Sequence, residues 1–131
     1  MGNKKILIVD DDPDICRGMQ VRLEYSGYDT CFAADALSGA AAASKEEPDL
    51  IVLDLGLPAG DGFLFIERLK THPALGAIPI IVVSARDARA NRERAIKAGA
   101  TAYLQKPVDN AEFLAVIRKA LGEFTSVPLP Q

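Results

Sequence analysis

The apolar residues of this chain cluster in short runs that end at charged residues, glycine or proline. Residues 6–9, 50–53 and 78–83 form nearly continuous runs, and residues 28–34 form a weaker one. Continuous runs are typical of strands that are covered on both faces, as in a parallel sheet. We therefore predict four strands here and a fifth over T-A-Y-L-Q, residues 101–105.

Between these runs the apolar spacing is helical. The first helix begins with Asp12 as its cap and Pro13 at its first position, and it stops near Gly27. Four other helices are predicted over residues 33–43, 61–71, 88–98 and 109–122, the third of them ending at Gly99. Strands that alternate with helices predict an α/β fold, in which a parallel sheet is covered by helices on both faces.

The length of the chain bounds its domain organisation. With 131 residues it matches one compact domain with a single core. We predict that this domain spans residues 1–122. Residues 123–131 contain Pro128 and Pro130 and have no helical face, so we interpret them as a C-terminal tail or a truncated linker.

The net charge and the apolar pattern of the chain limit the kinds of partner that we expect. Fifteen basic and 18 acidic residues give a net charge of -3, which offers no broad positive field, and we expect no direct nucleic-acid binding. No apolar stretch approaches the roughly 18 residues of a membrane span, and no signal peptide is evident, which predicts a cytoplasmic protein without a membrane partner. Cys16 and Cys31 lack the spacing of a zinc site, and we interpret both as small apolar residues in a reducing compartment.

Polar residues follow the predicted strands at the point where each strand ends. Asp10 and Asp11 follow the first strand, Asp54 follows the third, Ser84 the fourth and Lys106 the fifth. In an open parallel sheet the carboxyl ends of the strands share one edge, and ligands bind outside that edge. These side chains are therefore expected to face one another.

Three carboxylates at one place repel each other. Either a raised proton affinity or a bound divalent cation would relieve the repulsion. Mg²⁺ fits best, because it prefers a few carboxylates together with waters and phosphate oxygens. Lys106 adds a positive charge and Ser84 a hydroxyl donor, and both suit a phosphoryl group. Asp12 is interpreted as a helix cap rather than a metal ligand.

Four segments carry a resemblance to a known family: I-L-I-V-D-D-D-P-D, L-D-L-G-L-P-A-G-D-G, V-V-S-A and Y-L-Q-K-P. In this order and spacing they resemble the receiver domain of two-component response regulators, over residues 4 to about 122. The resemblance implies a flavodoxin-like (βα)5 fold, with a doubly wound parallel sheet of five strands in the order 2-1-3-4-5. It also suggests a cis peptide bond between Lys106 and Pro107.

The resemblance implies a role for each acidic residue. Asp54 would accept a phosphoryl group from a phosphohistidine on a sensor histidine kinase or a histidine phosphotransfer protein. Asp11 would bind Mg²⁺ directly and Asp10 largely through water, with Asp54 and the backbone carbonyl of Gly56 completing the protein ligands. The chain would then be no enzyme beyond catalysing its own phosphorylation and dephosphorylation.

Further roles concern the response to phosphorylation. Lys106 would contact the phosphoryl oxygens, Ser84 would hydrogen-bond one of them, and Tyr103 would be the aromatic switch residue. The output face would comprise the fourth helix, fifth strand and fifth helix, and its effector is unknown. Regulators that pair through this face commonly carry two acids before the aromatic residue, where this chain has Thr101 and Ala102. A phosphorylation-dependent homodimer therefore stays open.

Two other functions are weighed against this one. A phosphatase of the haloacid dehalogenase type that used Asp54 on an external substrate would carry a second acid two residues later as general acid or base, where Gly56 stands. A receiver-like binding module that works without phosphorylation would not need the whole set of acids, serine and lysine. Both alternatives are therefore less favoured than the phosphoacceptor.

The remaining polar residues receive simpler interpretations. Gly60 and Gly62, on either side of Asp61, are expected to serve backbone geometry and a helix start. His72 is expected on the surface near a helix end, without chemistry. Gly56 and Arg86 should lie near the phosphate entrance, where they are expected to tune hydrolysis.

Overall fold

A computed structural model describes residues 2–56 and 62–123 of the chain. Five strands alternate with five helices in these ranges. The strands are β1 (Lys5–Val9), β2 (Asp29–Ala33), β3 (Leu50–Leu53), β4 (Ile80–Ser84) and β5 (Ala102–Gln105). The helices are α1 (Pro13–Tyr25), α2 (Ala36–Glu46), α3 (Gly62–Thr71), α4 (Ala88–Ala98) and α5 (Asn110–Ala120). The predicted alternation is confirmed.

The strands form one parallel sheet in the order β2-β1-β3-β4-β5. This confirms the doubly wound, flavodoxin-like architecture and its strand order. After β1 the chain adds β2 on one side and then β3 on the other, so the strand order reverses at β1. The carboxyl ends of β1 and β3 therefore flank the crevice in which such sheets bind ligands.

Two apolar layers cover the sheet. On one face Ile6 and Ile8 of β1 pack with residues of α1 and α5, and on the other face Leu7 and Val9 pack with residues of α2, α3 and α4. Residues of β1, β3 and β4 are almost wholly buried, as expected for central parallel strands. Burial on both faces explains why these strands read as continuous apolar runs.

Local capping fixes the ends of α1 and α4 as predicted. The Asp12 carboxylate accepts hydrogen bonds from the backbone N–H groups of Asp14 (2.9 Å) and Ile15 (3.3 Å), which confirms Asp12 as the cap of α1. Gly99 ends α4 with φ of 124°, a backbone conformation that favours glycine.

The second helix differs from its prediction by three residues at each end. Ala33 remains in the sheet, since it pairs with Val9 and its carbonyl accepts the N–H of Asp10. Asp35 then caps α2 by accepting the N–H of Ser38 at 2.7 Å. The alanine-rich composition favours a helix throughout this stretch, and the cap decides where the helix begins.

The fourth strand begins two residues later than predicted, at Ile80. Proline lacks the N–H group that a sheet ladder requires, so Pro79 contributes only its carbonyl, which accepts the N–H of Ile51. Ser84 in turn belongs to β4 and pairs with Gln105 of β5. The strand therefore carries Ser84 to the edge of the sheet.

The last described residue is held against the sheet. Glu123 accepts a hydrogen bond from the Tyr28 hydroxyl at 2.7 Å and lies 3.8 Å from the Lys4 ammonium. The rest of the predicted tail, residues 124–131, lies outside the described residues, as do Gly60 and Asp61. No helix in the described ranges is long and apolar enough to cross a membrane.

Three residues without a predicted chemical role have ordinary structural surroundings. Cys16 is buried, Cys31 is half-buried, and both thiols are free of disulfides. His72 is exposed, and its Nδ1 accepts the backbone N–H of Ala74 at 3.0 Å. His72 thus stabilises a local turn after α3.

Candidate functional site

The sheet ladder continues past the strand ends and fixes the backbone of the site. The N–H of Asp10 donates to the carbonyl of Ala33, and the N–H of Asp54 donates to the carbonyl of Val9 at 3.0 Å. On the other side, the N–H of Lys106 donates to the carbonyl of Ser84 at 2.8 Å. Side chains from β1, β3, β4 and β5 therefore start from one rigid edge.

Three carboxylates meet at this edge. One oxygen each from Asp10, Asp11 and Asp54 can be chosen so that all three lie within 4.8 Å of one another. Asp10 is 4 % exposed, Asp54 is half-buried and Asp11 is exposed. An all-oxygen set with one open side fits Mg²⁺, which keeps several waters when it binds a few carboxylates.

The buried carboxyl of Asp10 has an altered proton affinity. Burial raises its pKa, because the anion loses solvation, while hydrogen bonds from the Asp12 N–H and from Lys106 act in the opposite direction. The net direction is upward. A nearby cation would therefore stabilise the ionised form of Asp10.

Lys106 supplies a cation within the protein itself. Its Nζ lies 3.1 Å from Oδ2 of Asp10 and 3.4 Å from Oδ2 of Asp54. Burial lowers the pKa of Lys106, but the hydrogen bonds and charges of the two carboxylates outweigh it and raise the pKa overall. Three carboxylates with one lysine leave two negative charges, which a divalent ion would balance. The bond between Lys106 and Pro107 is cis, as expected.

Asp54 keeps an accessible face. Its Oδ1 accepts the N–H of Gly56 at 3.0 Å, while Oδ2 faces Lys106. A Cβ atom added to Gly56 would lie 3.6 Å from that Oδ1. A side chain at position 56 would therefore lie directly beside the Asp54 carboxylate.

Ser84 and Tyr103 both bind the backbone of Arg86. The Ser84 hydroxyl, buried in the sheet edge, accepts the N–H of Arg86 at 3.2 Å. The Tyr103 ring is buried, and its hydroxyl donates to the Arg86 carbonyl at 2.8 Å. Burial raises the pKa of Tyr103, opposed by the Ser84 hydroxyl and the charge of Arg86. The loop between β4 and α4 is thus held by two hydroxyl groups.

Two residues of this region were given no role from the sequence. The Gln105 side chain accepts the N–H of Ala88 at 2.9 Å, and the Arg92 guanidinium donates to the Tyr103 carbonyl at 3.3 Å. A polar residue at the end of the fifth strand was the available signal for Gln105. Its partner depends on how α4 lies against β5, which the sequence pattern does not specify.

Comparison with known proteins agrees with this geometry. Residues 6–118 match the family model described as the response regulator receiver domain. The chain belongs to the receiver domain family of two-component response regulators. The resemblance that four short motifs indicated is therefore confirmed.

Curated relatives are longer than this chain. It is 39% identical over 124 residues to the DNA-binding dual master transcriptional regulator RpaA of Synechocystis, covering 95% of this chain and 52% of RpaA. It is 39% identical over 125 residues to the KDP operon transcriptional regulatory protein KdpE of Escherichia coli, covering 95% and 54%. The chain thus spans about half the length of these relatives.

Solved structures show the same receiver fold. A CheY-like response regulator receiver domain protein of Methanospirillum hungatei has a TM-score of 0.84 at 34% identity, covering 93% of this chain and 96% of that one. The receiver domain of a Pseudomonas aeruginosa sensor histidine kinase has a TM-score of 0.84 at 27% identity, covering 92% and 99%. Its structure contains a magnesium ion coordinated in the active-site cleft.

Proposed function

We propose that this receiver domain is a phosphoacceptor in which Asp54 takes a phosphoryl group from a phosphohistidine. One observation carries the proposal: Oδ2 of Asp54 lies 3.4 Å from Lys106 Nζ, while the same carboxylate belongs to the Asp10, Asp11 and Asp54 cluster. A nucleophile, a cation and a metal-binding donor set thus meet at one point. The donor would be a sensor histidine kinase or a histidine phosphotransfer protein.

The transfer requires positioning and charge stabilisation more than a strong base. The Asp54 carboxylate attacks phosphorus in line with the departing imidazole, which forms an acyl phosphate and splits the overall transfer into two steps. The Lys106 ammonium stabilises negative charge on the phosphoryl oxygens, and the Ser84 hydroxyl hydrogen-bonds one of them. The donor would approach the carboxylate on the side of Gly56, which has no side chain.

Mg²⁺ is the proposed cofactor. Asp11 would bind it directly and Asp10 largely through water, with Asp54 and the carbonyl of Gly56 as the other protein ligands. When bound, the ion would supply positive charge that offsets the negative charge of the carboxylates and of the phosphoryl group. The magnesium ion in the structure of the related Pseudomonas receiver domain supports this choice.

Phosphorylation would act on the segment between β4 and α4. A hydroxyl of Ser84 that turned to the phosphoryl group would no longer accept the N–H of Arg86, and Tyr103 binds the carbonyl of that same residue. Two conformational populations of this segment would then differ in their affinity for the phosphoryl group. The proposed output face comprises α4, β5 and α5, with an effector of unknown identity.

Phosphorylation of Asp54 can be tested with a small phosphodonor. We expect acetyl phosphate and Mg²⁺ to add one phosphoryl group to the wild-type chain, as measured by intact mass, and EDTA to prevent this. Asp54→Asn should show no gain, whereas Asp14→Asn, at an exposed position of α1, should behave as the wild type.

A second measurement separates the phosphoacceptor from its alternatives. Profiling against histidine kinases should give rapid phosphotransfer to the wild type and none to Asp54→Asn. Modification of Asp54→Asn at the wild-type rate would overturn the assignment of Asp54. Steady turnover of a phosphate ester by the wild type that is lost in Asp54→Asn would favour the phosphatase.

A further inference from the structure

Three hydrogen bonds tie the segment that leads into α4 to strand β5. The Tyr103 hydroxyl donates to the Arg86 carbonyl at 2.8 Å, and the Ala88 N–H donates to the Gln105 side-chain oxygen at 2.9 Å. One helical turn further along, the Arg92 guanidinium donates to the Tyr103 carbonyl at 3.3 Å. Tyr103 and Gln105, alternate residues of β5, thus bind the β4–α4 loop and the first two turns of α4.

The bond from Ala88 to Gln105 adds to the cap of α4, because it satisfies an N–H group that the cap residue Asp87 does not bind. The first N–H groups of a helix have no partner within it and need acceptors from elsewhere. Asp87 is the cap residue of α4, but its carboxylate accepts the N–H of Arg89 at 3.0 Å. The side-chain oxygen of Gln105, on the neighbouring strand β5, accepts the N–H of Ala88. The start of α4 is therefore anchored to β5 and not only to its own chain.

Gln105 also occupies a special place relative to the site. It pairs in register with Ser84, and the next residue, Lys106, contacts the carboxylates of Asp10 and Asp54. Four residues, Ser84 to Asp87, separate Gln105 from Ala88 when the path crosses the sheet to Ser84 and then follows the chain. A shift of the backbone at residues 85–87 relative to β5 must either stretch the Ala88 bond or carry α4 with it.

We propose that Gln105 is a positioning residue that couples the Ser84–Arg86 backbone to α4 through its bond to the Ala88 N–H. The inference rests on the proposed function, because it assigns the path by which phosphorylation at Asp54 reaches the output face. The hydrogen bond of the Gln105 side chain goes to Ala88, whereas its neighbour Lys106 is the residue that contacts the carboxylates. The effect of Gln105 should therefore appear in the response of α4 and not in the binding of a phosphoryl mimic.

Two substitutions separate the hydrogen bond from the size of the side chain. Gln105→Met keeps the length but removes the acceptor, whereas Gln105→Glu keeps an acceptor for the Ala88 N–H. Position 105 is exposed, so neither change disturbs the apolar core. Gln20→Met is the matched control, since Gln20 is a half-buried residue of α1 whose side chain donates to Glu24 of the same helix at 3.1 Å.

The experiment records amide NMR spectra of each variant with Mg²⁺, before and after addition of beryllofluoride. The wild type and Gln20→Met should show shifts around Asp54 and throughout α4. Gln105→Met should keep the shifts around Asp54 but lose about half or more of the shift at residues 95–98, the far end of α4, because the coupling is a population shift. Gln105→Glu should restore that response. Helical chemical shifts of residues 88–98 before addition verify that α4 is folded.

The beryllofluoride spectra distinguish the role of Gln105 from phosphorylation at Asp54. A wild-type response in the far turn of α4 of Gln105→Met, with beryllofluoride bound, would overturn the role of Gln105. Failure of Gln105→Glu to restore the response would do the same. Absence of any beryllofluoride-dependent shift around Asp54 in the wild type would instead contradict the proposed phosphoacceptor function.

Discussion

At the scale of single residues, the site keeps a buried negative charge that costs stability. Asp10 is 4 % exposed, and burial raises the pKa of its carboxyl despite the nearby ammonium of Lys106. In the absence of a divalent ion, the hydrogen bonds and the charge of Lys106 therefore only partly compensate the burial of the Asp10 carboxylate. Functional sites commonly retain such groups at the expense of stability.

We predict that Asp10→Asn stabilises the domain without Mg²⁺ by on the order of 1 kcal/mol, since the amide still accepts the N–H of Asp12 and carries no charge. Urea unfolding in EDTA measures this. The same change should reduce the stabilisation that Mg²⁺ gives the wild type, because the ion binds only the folded donor set. Lower stability of Asp10→Asn in EDTA would show that the bond to Lys106 outweighs the burial of the charge.

The residue at position 56 is expected to control the access of water to the Asp54 carboxylate. A Cβ at this position would lie at ordinary contact distance from both oxygens of Asp54, 3.6 and 3.8 Å, so a side chain is accommodated. We expect Gly56→Met to shield the acyl phosphate from water and to slow dephosphorylation several-fold, as measured by the decay of phosphorylated protein. Gly18→Met is the control, because nothing lies within 4 Å of a Cβ there. Unchanged decay in Gly56→Met would remove the role of Gly56 in hydrolysis.

At the scale of elements, a lysine joins α3 to α4. Lys70 donates to the carbonyls of Gly76 at 3.2 Å and Ile78 at 2.6 Å, and burial lowers the pKa of its ammonium. Its side-chain carbons lie against Gly99, where an added Cβ would come within 2.4 Å of Lys70 Cγ. The end of α4 and the loop after α3 are therefore held together by one side chain.

This contact can be measured with two glycines that have similar backbones. Gly27 and Gly99 both follow helices with positive φ, 95° and 124°, but nothing lies within 4 Å of a Cβ at Gly27. Alanine at either position is strained, at a cost of about 1 kcal/mol. Gly99→Ala should cost more in urea unfolding, because Lys70 must also leave its two carbonyl partners. Equal losses for the two variants would mean that Lys70 moves without cost.

The elements also show what the sequence could and could not predict. Asp12 and Pro13 mark the start of α1 because a cap acts over two or three residues, and the strands of the sheet core stand out because they are buried on both faces. The start of α2 could not be read in the same way, because alanine favours helix on both sides of Asp35 and only pairing with β1 keeps Ala33 in the sheet.

The same distinction applies to the site. The meeting of Asp10, Asp54 and Lys106 follows from strand direction alone, since parallel strands end at one edge. The bond between Gln105 and Ala88 depends on the distance between a helix and a strand. No periodicity in the sequence encodes that distance. The residues that carry the chemistry can therefore be predicted from the sequence more readily than the helix–strand hydrogen bond between Ala88 and Gln105.

At the scale of the whole molecule, the two ends of the described chain meet on the side of the sheet opposite the carboxylates. Tyr28, before β2, donates to Glu123 after α5 at 2.7 Å, and Lys4, before β1, donates to the Leu121 carbonyl at 3.2 Å. Burial, together with Glu123, raises the pKa of Tyr28 to about 12 from 10.0. The ionisation of Tyr28 is thus coupled to the contact between the two ends of the described chain.

This closure predicts a specific loss of stability in alkali. Between pH 10 and 12 the unfolded chain has lost the Tyr28 proton while the folded chain retains it, so the free energy of unfolding falls as the pH rises. Tyr28→Phe should cost about 1 kcal/mol at pH 7 for the lost hydrogen bond. Its stability should then fall less than that of the wild type between pH 10 and 12, as urea unfolding would measure.

Tyr25→Phe, at a site that is 94% exposed, should follow the wild type at each pH. Parallel losses in Tyr28→Phe and the wild type would show that other groups govern the alkaline transition and that Glu123 does not secure the end of α5 through Tyr28.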